Sequence, residues 1–263
     1  MSSGLGFQAS RLAGFPNDMR TLKLTVAYDG TNYVGWQRQT NGLSIQQVLE
    51  EAFAPLDDGE MRTMAGAGRT DAGVHALGQV ASIHVDFDLA PSAVQRALNV
   101  RLPQDIRVLG VVDATPGFHA QFHSTGKAYR YRIATTAVLS PFERWFVWHA
   151  PGPRNVDAMQ RAAAQFLGEH DFASFQPADS PVRDTVRTID RLRVRDAGGE
   201  IVIDVEGDGF LRHMVRIIAG TLAEVGSGAR HPDSIADVFA ARDRRAAGQT
   251  LPASGLTLVS VRY

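Results

Sequence analysis

The segment GAGRTDAGVHALGQV, Gly66 to Val80, holds the residues with the clearest capacity for chemistry. Glycines surround Arg69 and Asp71, and a residue without a Cβ lets another backbone or a ligand approach closely. A guanidinium two residues from a carboxylate favours the ionised form of that carboxylate. An ionised, positioned aspartate can act as a nucleophile or a general base. The segment therefore predicts a catalytic carboxylate in a loop at the end of two strands.

The same residues also suit a plain turn. Asp71 stands early and Gly73 last in Thr-Asp-Ala-Gly, which is the residue order of a common β-turn. Spacing alone favours the turn over the catalytic loop, so the pattern leaves both interpretations open.

A second segment, GFLRHMVRIIAGTLAEVG from Gly209 to Gly226, predicts a helix at about 210–225. Apolar residues cover most of its circumference, which is typical of a helix buried nearly all round. Arg216 lies inside it, and a buried arginine almost always has an anionic partner because an unpaired buried charge is very costly. Asp71, a phosphate and an ordinary structural carboxylate are the candidate partners.

Two basic patterns could serve RNA binding. In GKAYRYRI, Gly126 to Ile133, Tyr129 and Tyr131 share one strand face and the arginines share the other. This arrangement suits base stacking with phosphate contacts, but also a half-buried strand with a solvated polar face. Four further arginines are predicted on one side of a strand near 185–195, where they could follow a phosphate backbone or face solvent: Arg187, Arg191, Arg193 and Arg195.

Composition excludes several classes of site. The 263 residues include no cysteine, which rules out disulfides, iron–sulfur clusters and thiolate zinc sites. No HExxH, P-loop or GxGxxG motif occurs, and His119 and His123 have no acidic companion at ligand spacing, so no metal or nucleotide cofactor is expected. No apolar run is long enough to predict a membrane span. The net charge of −1 argues mildly against non-specific binding of nucleic acid.

The elements that must position these residues form an α+β pattern. The first half is predicted as strand, helix, two strands, helix and strand, which indicates an antiparallel sheet with helices on one face. Ser44 offers a helix N-cap with Gln47 as its capping-box partner. The second half has a similar order, with predicted helices near 156–167, 210–225 and 233–241 and strands near 185–195, 200–206 and 256–263.

A domain boundary is predicted at Pro151–Pro153, where the chain has its best punctuation. Residues 1–18 then form a loose tail, residues 19–150 an N-terminal α+β half that carries the Asp71 loop, and residues 151–263 a C-terminal α+β half.

The run GRTDAGVHA, Gly68 to Ala76, resembles the signature of the TruA-type tRNA pseudouridine synthases. The resemblance covers nearly the whole folded chain and implies a pseudouridine synthase fold, in which two ferredoxin-like halves with antiparallel sheets join around a central basic cleft. Four other segments resemble the same family in order: Ala27–Gln39, Phe118–Ile133, Gly209–Gly220 and Ala246–Leu258.

The function implied by this resemblance is the isomerisation of uridine to pseudouridine at positions 38, 39 and 40 of the tRNA anticodon arm. The resemblance also implies that the protein needs no cofactor and no metal and that it forms a homodimer. The expected partner is therefore tRNA, with no membrane. The absence of cysteine fits a cytoplasmic location.

The resemblance also implies roles for individual residues. Asp71 matches the catalytic aspartate, Tyr129 the active-site tyrosine that stacks on the uracil, and Arg216 the arginine that pairs with the carboxylate. For substrate binding, Arg69 matches the arginine that helps displace the base, and Leu256 lies in the segment that walls the pocket.

Several alternatives stay open. Asp71 could attack the ribose covalently or remove a ribose proton to give a glycal, and Tyr129 is a candidate relay for the proton lost from uracil C5. Two other classes of protein are an RNA-binding module without chemistry and a hydrolase that uses Asp71 on another glycosidic bond. Against a hydrolase, the sequence shows no second motif carboxylate of the kind that glycosidic-bond hydrolysis normally uses.

Overall fold

A computed structural model of the protein describes residues 20–263, so the predicted tail, residues 1–18, lies outside the described residues. Within that range no helix is long and apolar enough to cross a membrane. The strands are β1 (Arg20–Tyr28), β2 (Ala65–Gly66), β3 (His75–Val85), β4 (Ile106–Asp113), β5 (Gly126–Ala134), β6 (Trp148–His149), β7 (Gly168–Asp171), β8 (Val186–Asp196), β9 (Glu200–Gly207) and β10 (Leu256–Arg262). The helices are α1 (Ile45–Phe53), α2 (Pro91–Arg101), α3 (Val156–Ala164), α4 (Met214–Gly226) and α5 (Ile235–Ala241).

The described strands form one sheet in the order β4-β1-β3-β10-β5-β9-β8-β7, with β2 added to β3 and β6 to β5. The α+β class is as predicted, and the first half follows the predicted order from β1 to β4. Within each predicted half the long strands pair antiparallel, as predicted, and β10 pairs in parallel with β3 where the two halves join. The C-terminal strand enters the middle of the sheet there and joins the strands of both predicted halves. The boundary near residue 150 stays a prediction.

One row of paired residues across the sheet shows where the core lies. Paired residues share a sheet face, and every residue of this row is buried beneath the helices. The opposite face carries charged side chains and is called the open face below. From β1 to β8 the row is Tyr28, Ala76, Leu258, Tyr129, Val205 and Leu192.

The N-terminus of α1 follows the predicted cap in part. Ser44 Oγ accepts a hydrogen bond from the backbone N–H of Gln47 at 3.2 Å. The Gln47 side chain instead donates to Glu51 at 2.8 Å, so the reciprocal half of the capping box is absent.

The predicted helix over 210–225 begins later, at Met214. After β9 ends at Gly207, the chain turns, and His213 adopts a left-handed backbone with φ of 61°. A helix cannot continue through a left-handed residue, so the apolar residues Phe210 and Leu211 lie in the turn. Arg216 consequently stands in the first turn of α4 instead of mid-helix.

The four predicted arginines of β8 do not share one side of the strand. A register shift between Ile189 and Arg191 changes the alternation of the side chains. Arg187 precedes the shift and shares the buried face with Ile189, whereas the other three lie on the open face. Arg191 pairs there with Glu206 at 3.0 Å and Arg195 approaches Asp204 at 3.8 Å, so acids already neutralise part of the predicted phosphate track.

Candidate active site

The loop that carries Asp71 joins β2 to β3 and is held by the segment after β1. The backbone N–H of Trp36 donates to the carbonyl of Thr70 at 3.1 Å, and that of Gly73 donates to the carbonyl of Tyr33 at 3.2 Å. Gly35 has φ of 101°, and a Cβ there would lie 2.3 Å from the Thr70 carbonyl oxygen. Only glycine fits this close approach, so the sequence around Gly35 fixes the position of the loop.

Asp71 contacts the guanidinium of Arg216, which lies 145 residues away in sequence. Arg216 Nη1 donates to Asp71 Oδ2 at 3.1 Å, and its Nε donates to the Leu251 carbonyl at 2.7 Å. The side chain of Asp71 is 26% exposed and that of Arg216 is 15% exposed. Among the three candidate partners of Arg216, the structure therefore selects Asp71, and it leaves the carboxylate open to a ligand.

His213 is a third member of this cluster that the sequence did not identify. Its Nε2 lies 3.6 Å from Asp71 Oδ2. Burial lowers the pKa of His213; the Asp71 carboxylate opposes that shift, whereas Arg216 and Arg212 add to it. At neutral pH the ring is therefore uncharged, and Arg216 is the cation that balances Asp71. The motif alone gave no signal for this contact, because it depends on the left-handed turn before α4.

We predict that His213 makes folding stability sensitive to acid. In the unfolded chain a histidine titrates near pH 6.5, and its pKa is lower in the fold. Its contribution is therefore complete above the unfolded pKa and is lost as the pH falls toward the folded pKa. His213→Asn tolerates the left-handed backbone and does not titrate. Urea unfolding at pH 7.5 and pH 5 should show a smaller loss of stability in the variant than in the wild type. An equal loss in both would contradict the prediction, since the other histidines are unchanged.

Tyr129 lies on the same sheet face as the Asp71 loop. The residue is 7% exposed, and its ring contacts Phe210 edge-on, with the centroids 5.2 Å apart. Burial raises the pKa of the Tyr129 hydroxyl, and the negative charge of Asp71 raises it further. The hydroxyl therefore stays protonated near neutral pH. As predicted, Arg130 and Arg132 point to the other face, where Asp204 and Glu200 pair with them at 2.6 Å.

The two predicted substrate-binding residues occupy different surroundings. Arg69 is exposed, and within residues 20–263 its guanidinium has no ion pair or hydrogen bond, so it is free to meet a ligand. Leu256 begins β10, is 5% exposed and pairs with Tyr131. It lies on the same face as Tyr129, one strand away. Their roles toward a substrate remain predictions.

Tyr28, on the buried face of β1, anchors the Asp71 loop through a hydrogen bond to Thr70. Its hydroxyl shares a buried hydrogen bond of 2.8 Å with Thr70 Oγ1, the residue before Asp71. Burial raises the pKa of Tyr28 to about 12, so the hydroxyl is neutral at physiological pH. The alternation of β1 placed its side chain on the buried face, but not against Thr70.

We predict that this hydrogen bond stabilises both the fold and the active loop. Tyr28→Phe and Thr70→Val should each lower the free energy of unfolding by about 1 kcal/mol. Each variant loses the net contribution of one hydrogen bond and leaves the other hydroxyl buried without a partner. The double variant should cost less than the sum, because the second change removes a hydroxyl that the first left unpaired. Urea unfolding of the four proteins measures the coupling. Strict additivity would show that the two hydroxyls do not interact.

A cavity of about 540 Å³ lies on the open face, away from Asp71. It is lined by His75, Arg107, Arg130 and Phe146, among others. The Asp71 cluster lies instead on the helix-covered face. Over residues 20–263, no three His, Asp or Glu side chains gather as they would around a metal ion.

Comparison with known proteins identifies the family. The tRNA pseudouridine synthase family profile matches residues 24–123 and 162–263, more than half of the chain. The chain belongs to the tRNA pseudouridine synthase family. The tRNA pseudouridine synthase A of Pelobacter propionicus is 47% identical over 93% of this chain and 100% of its own length. The corresponding protein of Geobacter sulfurreducens shows the same identity and coverage.

These matches confirm the family predicted from the GRTDAGVHA segment, and the protein is thus a pseudouridine synthase, an isomerase. Among solved structures, a Cbf5-Nop10-Gar1 complex aligns with 77% of this chain and 45% of that chain. Its identity is 13% and its TM-score 0.34, too low to compare the folds in detail.

Proposed function

We propose that the protein isomerises uridine to pseudouridine at positions 38, 39 and 40 of the tRNA anticodon arm, with Asp71 as its essential carboxylate. The observation that carries the proposal is the partly exposed Asp71 carboxylate in contact with Arg216 at the base of a glycine-lined loop. RNA binding alone needs no carboxylate in such a setting, because a carboxylate repels the phosphates of the ligand.

The reaction exchanges one bond for another within the same nucleotide. The bond between ribose C1′ and uracil N1 breaks, the uracil rotates, and C1′ joins uracil C5. The C5 proton leaves and N1 gains a proton, so the atoms balance without a co-reactant. Asp71 acts on the ribose, either by attack at C1′ or by removing a ribose proton, and Arg216 keeps the carboxylate aimed in both routes.

Binding must first expose the base. Extrusion of a nucleotide from its stack costs a few kcal/mol. Stacking of the uracil on Tyr129 returns about 1–3 kcal/mol of that cost. In this proposal Arg69, which is exposed two residues before Asp71, occupies the space that the base leaves, and Leu256 forms the apolar wall of the pocket. Because the Tyr129 hydroxyl is protonated, it can relay the C5 proton only by passing its own proton to a base, and in this proposal that base is Asp71.

The test uses unmodified tRNA that carries tritium at uracil C5. Isomerisation releases tritium into water and leaves the RNA chain intact. A binding module releases none, and a hydrolase frees the base and leaves an abasic site. Either of the last two outcomes would overturn the proposal. Mapping of the pseudouridines in the product shows which of the three positions are modified.

We further propose that the protein is a homodimer that acts in the cytoplasm, where its tRNA substrate is found. Three exposed apolar side chains in the segment before the cavity-lining Phe146 support self-association, because exposed apolar surface often marks a protein contact. Light scattering at micromolar concentration should give twice the chain mass, and a monomer mass would contradict it. The exposed residues are Val138, Phe142 and Trp145.

A further inference from the structure

A half-buried lysine beside the Asp71 loop has no counterion among residues 20–263. The chain contains two lysines, Lys23 and Lys127, among its 27 basic side chains. Within residues 20–263, Lys127 has no carboxylate within ion-pair distance, and its ammonium contacts only Ser124 Oγ, at 3.3 Å. An amino group in this setting loses hydration without gaining an ionic partner, which is unfavourable until an anion arrives.

The position of Lys127 relates it directly to the site. Lys127 precedes Tyr129 by two residues on β5, so both side chains lie on the same sheet face and their Cα atoms are about 7 Å apart. Its stem crosses Gly68, where a Cβ would lie 2.9 Å from Lys127 Cε. Gly68 stands three residues before Asp71, and the glycine therefore makes room for the lysine beside the catalytic loop.

The charge around the loop indicates the class of ligand. Arg216 already balances Asp71, whereas Lys127 and Arg69 have no anionic partner within the described residues. Burial lowers the pKa of Lys127, and only the more distant Asp208 opposes that shift. A nucleotide whose base stacks on Tyr129 brings a backbone phosphate on either side of its ribose. A lysine is a common phosphate ligand in such a position.

We propose that Lys127 binds a backbone phosphate next to the target uridine and so fixes the ribose over Asp71. This inference rests on the proposed function and adds a binding residue that lies outside the GRTDAGVHA segment. Lys127 is a substrate-binding residue in this account; it takes no part in bond breaking.

The test measures binding of an RNA hairpin that carries the anticodon arm, in an Asp71→Asn background that prevents conversion. Lys127→Met should weaken binding about tenfold, as expected for one charge-assisted contact. The magnitude of the slope of log affinity against log salt concentration should fall by about 1, which corresponds to the loss of one phosphate contact. Lys127→Arg should retain most of the affinity. Lys23→Met is the matched control, because the Lys23 ammonium lies 4.1 Å from the Tyr263 ring centroid and should not change the slope.

Neutral methylphosphonates identify the phosphate. Each phosphate beside the target uridine is replaced in turn. At one position the replacement should weaken RNA binding about tenfold when Lys127 is present and should have little effect on RNA binding by Lys127→Met. The proposal is overturned if Lys127→Met shows the same salt dependence of binding as the protein that retains Lys127, and if every methylphosphonate changes the affinity of the two proteins equally. Tritium release by the wild-type enzyme on the same hairpin tests the proposed function separately.

A second measurement uses the unaltered protein and does not depend on the folding of a variant. Reductive methylation followed by mass spectrometry reports the two lysines individually. Bound RNA should protect Lys127 severalfold and leave Lys23 unchanged. Equal labelling of Lys127 with and without saturating RNA would contradict the contact.

Discussion

Asp71→Asn should abolish pseudouridine formation while tRNA binding stays within a few-fold of wild type. The amide nearly matches the carboxylate in size and still accepts from Arg216, so the loop keeps its position. It has neither the charge nor the basicity to attack C1′ or to remove a ribose proton. Loss of a nucleophile or general base lowers the rate by at least about a thousandfold. Tritium release under single-turnover conditions measures the rate, and filter binding measures the affinity.

A matched control comes from the same loop. Thr70→Val disturbs its support but leaves the Asp71 carboxylate in place, so it should reduce the rate far less than Asp71→Asn. If Asp71→Asn releases tritium at a rate comparable to that of the wild type, Asp71 is not the catalytic residue. A large loss of tRNA binding would instead assign Asp71 to recognition or loop structure.

Replacement of Arg216 should lower both activity and stability. In Arg216→Met, Asp71 faces only the neutral His213, and the Leu251 carbonyl loses its donor. Breaking a buried ion pair costs about 3–5 kcal/mol, but both side chains are partly exposed here, so a loss of about 1–2 kcal/mol is expected. The catalytic rate should fall about a hundredfold, because a small displacement of a reacting group costs that much. Urea unfolding and single-turnover tritium release measure the two effects.

Arg216→Lys separates charge from geometry. A lysine restores the positive charge but cannot bridge Asp71 and Leu251 from two nitrogens of a planar group. We expect it to recover part of the stability and little of the rate. Full recovery of the rate would show that charge alone matters, and a wild-type rate in Arg216→Met would exclude the positioning role.

The sequence by itself determined the local elements and the identity of the reactive segment. Alternating apolar residues placed β1, and the Ser44 cap placed the start of α1. These features depend on neighbours within one or two turns, where backbone geometry and side-chain spacing are decisive. The resemblance of GRTDAGVHA to a known signature then supplied the family, which the comparisons confirm.

Only the tertiary structure decided how distant segments meet. The parallel pairing of β10 with β3 and the contact of Arg216 with Asp71 join residues far apart in sequence, which no local pattern encodes. The register shift in β8 also escaped prediction, because one extra residue reverses every later side chain without any marked change in composition. The left-handed His213 depends likewise on the turn between β9 and α4, and it shortened the predicted helix.

The physical reason is the range of the interactions. Hydrophobic periodicity and capping act over a few residues, so the sequence carries them openly. Packing, ion pairs and close backbone approaches depend on which surfaces the fold brings together, and the contact of Lys127 with Gly68 exists only after β5 and the Asp71 loop have met. Residue types and the family resemblance therefore pointed to Asp71 as the candidate reactive group, whereas its partners became evident only from the fold.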